Sequence, residues 1–228
     1  FEVRHRNPVN LLRGVAVVAE RGLVPPGMAL YPYDRVTPTG FLPDSARALL
    51  AAAGYPGGKG FPGVSLQVNG DGFAYVQVAD AVQVMLEQVL GVSVAVSVLP
   101  ASQHYEKVDG GRALFWRQGW IADYPDPENF LALLYGRNAV LDTGASSYMN
   151  TSRYADPRFD TLYARAQHTL DPAARMDLMA RAERVAMDEA VVAPVYHESN
   201  IRLLAKGVHD FPINAMEYRD LGAVWMDP

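Results

Sequence analysis

A chain of 228 residues, half of them hydrophobic and with a formal net charge of −5, can bury a substantial core and has no basic footprint for nucleic acid. It contains no cysteine, which removes disulfide frameworks and thiolate metal sites, and no apolar run of about 18 residues, which removes a membrane-spanning helix. It opens at Phe1 with no charged and apolar leader behind it, so the expectation is a signal segment already removed or a piece of a longer chain.

Residues 7–18 could hold one helix. Gly22, Pro25, Pro26, Gly27, Pro32, Pro38 and Gly40 then interrupt the chain and predict a long ordered loop. Asp44 suits the N-cap of a helix over residues 45–53, with Gly54 as the residue that ends it. Residues 56–62 are a glycine- and proline-rich connector. Val64, Leu66 and Val68 alternate with polar residues, as in a half-buried strand. Val78, Val82, Met85, Leu86 and Val89 recur at helical spacing and stop at Gly91. Val92, Val94, Val96 and Val98 alternate again. Strand, helix, strand in this order predicts a βαβ unit with a parallel pair and a right-handed crossover.

The apolar run over residues 113–116 has strand character and ends at Gly119. Trp120, Asp123, Pro125, Asp126 and Pro127 follow, then a helix-like run. A large aromatic and two acids thus stand on a proline-stiffened loop at a strand end, where α/β proteins tend to place ligand sites. Residues 136–155 read as a polar loop. Asp156 and Pro157 start a helix with Phe159, Leu162, Tyr163 and Ala166 on one face. Asp171 and Pro172 start another, running to about Glu189. Residues 191–196 and 201–204 are strand candidates, and the tail from Gly207 has little periodicity.

Each polar residue of the loop has a functional and a structural reading. Asp123 and Asp126 are three apart and could form the carboxylate pair of a hydrolase. Asp126 is better explained as the cap of the helix that begins near Pro127. Asp123 has no helix behind it and should meet a cation, in the protein or in a ligand. Trp120 is either core or the wall of a pocket. Arg117, inside an apolar segment, must find an acid; an internal ion pair is favoured over a ligand carboxylate gripped in bidentate fashion. The five histidines show no metal-ligand spacing, and no metal is expected. Ser146 and Ser147 lack the setting of a nucleophile. Residues 54–63 precede a strand and lack a phosphate-loop lysine. Glu183 sits beside the Met176, Met179, Met187 stripe and reads as a structural acid among core-filling methionines.

Gly119 to Leu131 (Gly-Trp-Ile-Ala-Asp-Tyr-Pro-Asp-Pro-Glu-Asn-Phe-Leu) closely resembles the signature of family 5 extracellular solute-binding proteins, the peptide-binding components of bacterial ABC importers. Val24-Pro25-Pro26-Gly27-Met28, the Leu-Ala-Ala-Ala-Gly-Tyr segment ending at Tyr55, Asn150 with the run from Tyr154 to Asp160, Arg175, and the Ala193 to Tyr196 segment resemble other family motifs in the same order. The resemblance implies an α/β fold: one lobe of a two-lobed, cleft-binding periplasmic-binding-protein-like architecture, with a mixed sheet and flanking helices. It implies binding rather than catalysis, no cofactor, a peptide or other small amine-bearing ligand, permease partners in the membrane, and a periplasmic or extracellular setting. In such proteins the residue matching Asp123 pairs with the ligand's α-amino group. The one matching Trp120 lines a side-chain pocket, and the one matching Arg117 can meet a ligand carboxylate. Members are about twice this length, so residues 1–199 are expected to form the C-terminal ligand-binding lobe and residues 200–228 to run back to a second lobe. The alternatives are the sensing domain of a cytoplasmic transcription regulator and, further off, a hydrolase using Asp123 and Asp126.

Overall fold

The computed structural model describes residues 16–36, 40–142, 144–199, 201–214 and 218–227. In chain order the regular elements are β1 (Ala16–Val18), α1 (Pro43–Ala52), β2 (Val64–Asn69), α2 (Phe73–Leu90), β3 (Val94–Leu99), α3 (Ala101–Asp109), β4 (Phe115–Trp116), α4 (Pro127–Leu131), α5 (Pro157–Gln167), α6 (Pro172–Asp188), β5 (Tyr196–Glu198), β6 (Val208–His209) and β7 (Trp225–Met226).

The first packing unit is the βαβ segment. β2 lies between β3 and β4, parallel to both, with Leu66 opposite Val96 and Phe115. Leu66, Val68, Ala79, Val92 and Val94 are buried between sheet and helix, because alternation on the strands and helical spacing on α2 aim the same residue types at one another. α2 stops at Gly91, whose φ of 68° is the left-handed conformation that glycine adopts without strain. The second face of β2 is also covered: Gln67 and Asn69 are buried as well as Leu66 and Val68. Strict half-burial was the expectation for this strand. Polar side chains survive burial here because α3 and the Arg117 side chain supply their hydrogen-bond partners.

The second unit is a helical body. Phe130, Leu131, Leu134, Phe159, Tyr163, Met179, Ala182 and Ala186 form its buried centre, joined by Val24, Tyr31 and Val36 from the long N-terminal loop. Asp156 and Asp171 cap α5 and α6, accepting the backbone N–H of Arg158 and Ala174, with a proline at the first helical position of each. α6 packs against α5, and its Met179, Ala180, Ala182 and Ala186 are wholly buried. Glu183 is only 1% exposed. Its carboxyl accepts from the Val24 N–H at 2.8 Å and the Tyr31 hydroxyl at 2.5 Å, which ties the proline-rich loop to α6. Burial pushes both this carboxyl and the Tyr31 phenol up from their ordinary pKa values. A Cβ at Gly22 would lie 2.4 Å from the Glu183 Oε1, so this tie needs glycine there.

Several expectations require correction. Ala16–Val18 is a strand, not the end of a helix: it pairs antiparallel with Tyr196–Glu198. Residues 7–15 lie outside the described residues. The strand expected over residues 191–196 therefore starts only at Tyr196, after Pro194, which has no N–H for a ladder. Asp44 does not cap α1. The helix starts at Pro43, which takes the first position with its fixed φ, and Asp44 accepts from Arg47 instead. α4 ends at Leu131 and continues as a 3₁₀ turn over Ala132–Leu134. Residues 201–204 form no strand. Among its described residues the tail makes a short β6–β7 ladder, where His209 stacks on Trp225 at 3.9 Å, and a 3₁₀ turn over Leu221–Ala223. Leu203, Ile213, Leu221, Trp225 and Met226 are exposed, and neither buried core includes a described residue of the tail.

Candidate functional site

The loop between β4 and α4 is gripped at both ends. At its start, the Arg117 N–H donates to Gln67 O at 2.9 Å, extending the parallel ladder by one bond. Behind it His104 is wholly buried. The Gln67 amide nitrogen donates to its Nδ1 at 3.0 Å, so Nε2 carries the proton and donates to Arg117 O at 3.0 Å. Burial is the largest influence on this imidazole and lowers its pKa. The Arg117 side chain turns away from the ladder. One Nη donates to Asn69 Oδ1 at 3.1 Å, and the guanidinium lies 3.4 Å above the centre of the Tyr75 ring. The internal ion pair favoured for Arg117 is not formed among the described residues. A cation–π contact, a neutral amide and the Tyr196 phenol take its place, and none of them supplies a countercharge.

At the far end every polar group has an internal partner. Asp126 caps α4, accepting from the Glu128 N–H at 2.8 Å, and both its oxygens receive Arg175 Nη donors, at 2.7 and 2.9 Å. The two side chains are 27% and 22% exposed, so this bidentate pair is partly shielded from solvent. The hydrogen bond to Asp126 raises the Arg175 pKa. Glu128 accepts from the hydroxyls of Tyr124 and Tyr163, which joins the loop to α5. With Asp126 occupied by Arg175 and the cap, the loop does not offer two open carboxylates to a substrate.

The middle of the loop differs. Trp120 is half-buried against the helical body, and its ring stands 6.2 Å from that of Tyr148. Its Nε1–H donates to Asn129 Oδ1 at 2.7 Å. The same oxygen accepts the Asp123 N–H at 3.2 Å, while Asn129 Nδ2 approaches Asp123 Oδ2 at 3.4 Å. Asp123 is exposed, and no cation pairs with it among the described residues. Neither of two hollows, of about 340 and 470 Å³, is lined by Arg117, Trp120 or Asp123. Trp120, Tyr148 and the exposed Asp123, joined through Asn129, form an open wall. The long loop that follows is fixed in turn by Asn150, wholly buried, which donates to Tyr135 O and Tyr154 O, and by Arg153, which reaches Asp109 O at 2.8 Å.

The sequence reading singled out Arg117, Trp120, Asp123 and Asp126, and the structure brings these onto one loop. It missed Asn129, His104, Asn69 and Tyr75. Asn129 had one legible signal: a neutral amide in the first turn of a short helix, set between Glu128 and the apolar Phe130 and Leu131. His104 had none, since a lone histidine on a helix is compatible with any role.

The family model of bacterial extracellular solute-binding proteins, family 5, middle region, matches residues 9–141. The chain belongs to this family. The oligopeptide-binding protein OppA of Bacillus subtilis is 32% identical over 135 residues, which is 59% of this chain and 23% of that protein. The periplasmic murein peptide-binding protein MppA of Escherichia coli is 29% identical over 172 residues, covering 75% of this chain and 30% of the relative. The solved structure of the Escherichia coli murein tripeptide-binding protein superposes with a TM-score of 0.76 at 26% identity, over 94% of this chain and 40% of that one. This family 5 chain therefore has the mixed α/β fold of periplasmic peptide-binding proteins and spans less than half the length of these relatives. Among the described residues no helix is long and apolar enough to cross a membrane.

Proposed function

We propose that this chain is one ligand-binding lobe of the solute-binding component of an ABC importer, and that it takes peptides or similar small solutes bearing a free amine. Asp123 carries the reading. Its carboxylate is exposed and held by an amide rather than a cation, at the edge of an aromatic wall. An ammonium brought there gains a charge-assisted hydrogen bond without displacing an internal partner. Trp120 would face the adjoining part of the ligand. Arg117, with its charge uncompensated, would meet a carboxylate at the other end. The relatives, which are oligopeptide- and murein-peptide-binding proteins, support the same ligand class.

The role is transport rather than catalysis: the site holds and releases a solute, and permease subunits in the membrane receive it. The setting is periplasmic or extracellular, with any leader or anchor lying outside this chain. A second lobe closes over the wall described here. Residues 200–228 belong with that second lobe, which would bury Leu203, Ile213, Leu221, Trp225 and Met226.

Calorimetric titration of the full-length polypeptide with trialanine tests the reading. Binding is expected, and Asp123→Ala should remove most of the affinity while the protein stays folded. Unchanged affinity in that variant would sink the amine-anchor role. The 228-residue chain alone should bind much more weakly, because closure needs both lobes.

A further inference from the structure

Asn129 lies beneath the exposed middle of the loop and is 5% exposed. A buried amide needs partners at both its oxygen and its nitrogen. The Trp120 indole only donates, so the atom 2.7 Å from its Nε1 is the amide oxygen, and a flipped amide would set two donors against each other. That oxygen also takes the Asp123 backbone N–H, which leaves the NH₂ facing the Asp123 carboxylate. One side chain thus sets the indole plane, the backbone at Asp123 and the carboxylate rotamer. Its neutrality matters as much as its reach. Three residues after Asp123, Asp126 meets a guanidinium, and its charge is matched inside the protein. An arginine or lysine in place of Asn129 would do the same to Asp123.

We propose that Asn129 is the positioning residue of this site, a neutral amide that locks Trp120 and Asp123 together and leaves the Asp123 charge for a cationic group on the ligand. Its geometric part stands without any ligand. Its charge part rests on the peptide-binding reading above.

The test uses the full-length polypeptide with Asn129→Ala and Asn129→Asp. The first readout is the ¹H–¹⁵N resonance of the Trp120 indole without ligand. Asn129→Ala removes the acceptor, and the resonance should move. Asn129→Asp keeps an oxygen acceptor and should return it near the wild-type position. An unmoved resonance in Asn129→Ala overturns the positioning role, whether or not any peptide binds.

The second readout is trialanine affinity from about pH 5.5 to about pH 7.0, where the peptide amine stays protonated. Asn129→Ala should weaken binding roughly tenfold, the scale of a buried hydrogen bond left unmade. Asn129→Asp sets a second carboxylate against Asp123. Like charges at that range share a proton, so its affinity should climb with pH while the wild type stays flat. A flat profile in Asn129→Asp overturns the charge part. Failure of the wild type to bind trialanine counts against the peptide reading, and the indole comparison still decides the positioning role.

Discussion

The two halves of the segment over residues 117–128 both carry charged side chains and treat them in opposite ways. In the second half, Asp126 and Glu128 are saturated by Arg175, a backbone N–H and two tyrosine hydroxyls. In the first half, Asp123 has one amide contact, and Arg117, three residues before Trp120, rests on a ring and an amide. Charge that is matched internally holds the protein together. Charge that is held in place but not matched is available to something else. The difference separates an aspartate whose charge is matched inside the protein from one whose charge is left open, on a single short loop.

The comparison can be broken by substitution. Arg175→Ala should produce the largest effect. It strands the partly buried Asp126 carboxylate and should lower unfolding free energy by about 2 kcal/mol in urea denaturation. A loss under about 0.5 kcal/mol, the scale of an ordinary surface change, would mean that the second half is no more structural than the first. Asp123→Asn should do the reverse: stability within about 0.5 kcal/mol of wild type, and trialanine affinity weaker by roughly tenfold or more.

The smallest expected effect concerns pH. His104 supports the Arg117 carbonyl as a neutral imidazole, and its folded pKa lies below the unfolded value. The unfolded chain therefore takes up the proton first. Stability should fall as pH drops below about 6.5 towards the folded value, and should show no His104 contribution above it. His104→Gln, read as unfolding free energy against pH, should flatten that part of the curve. A slope identical to wild type would remove His104 from the account.

What was legible in the sequence was local. The βαβ unit followed from period-2 and period-3.6 patterns inside residues 64–98, and the caps at Asp126, Asp156 and Asp171 followed from Asp-Pro pairs. What escaped depended on distant pairing. β1 and β5 have three residues each and exist only because they meet across most of the chain, so neither has a pattern of its own. Arg117 calls for an acid by its sequence setting, but its partners are the Tyr75 ring, the Asn69 amide 48 residues away and the Tyr196 phenol, all on other elements. Asp44 looked like a cap until Pro43 took the first helical position. In the site, the charged and aromatic residues stood out by type. Asn129 did not, because its importance lies in three hydrogen bonds that only the folded loop creates.

The central claim is that Asp123 is reserved for a ligand amine. It is tested most directly by titrating full-length wild type and Asp123→Asn with trialanine and with N-acetyl-trialanine. The four affinities form a double-mutant cycle across the proposed contact. Acetylation should weaken binding to wild type by about tenfold or more and change binding to Asp123→Asn hardly at all. An equal loss on acetylation in both proteins would contradict the account.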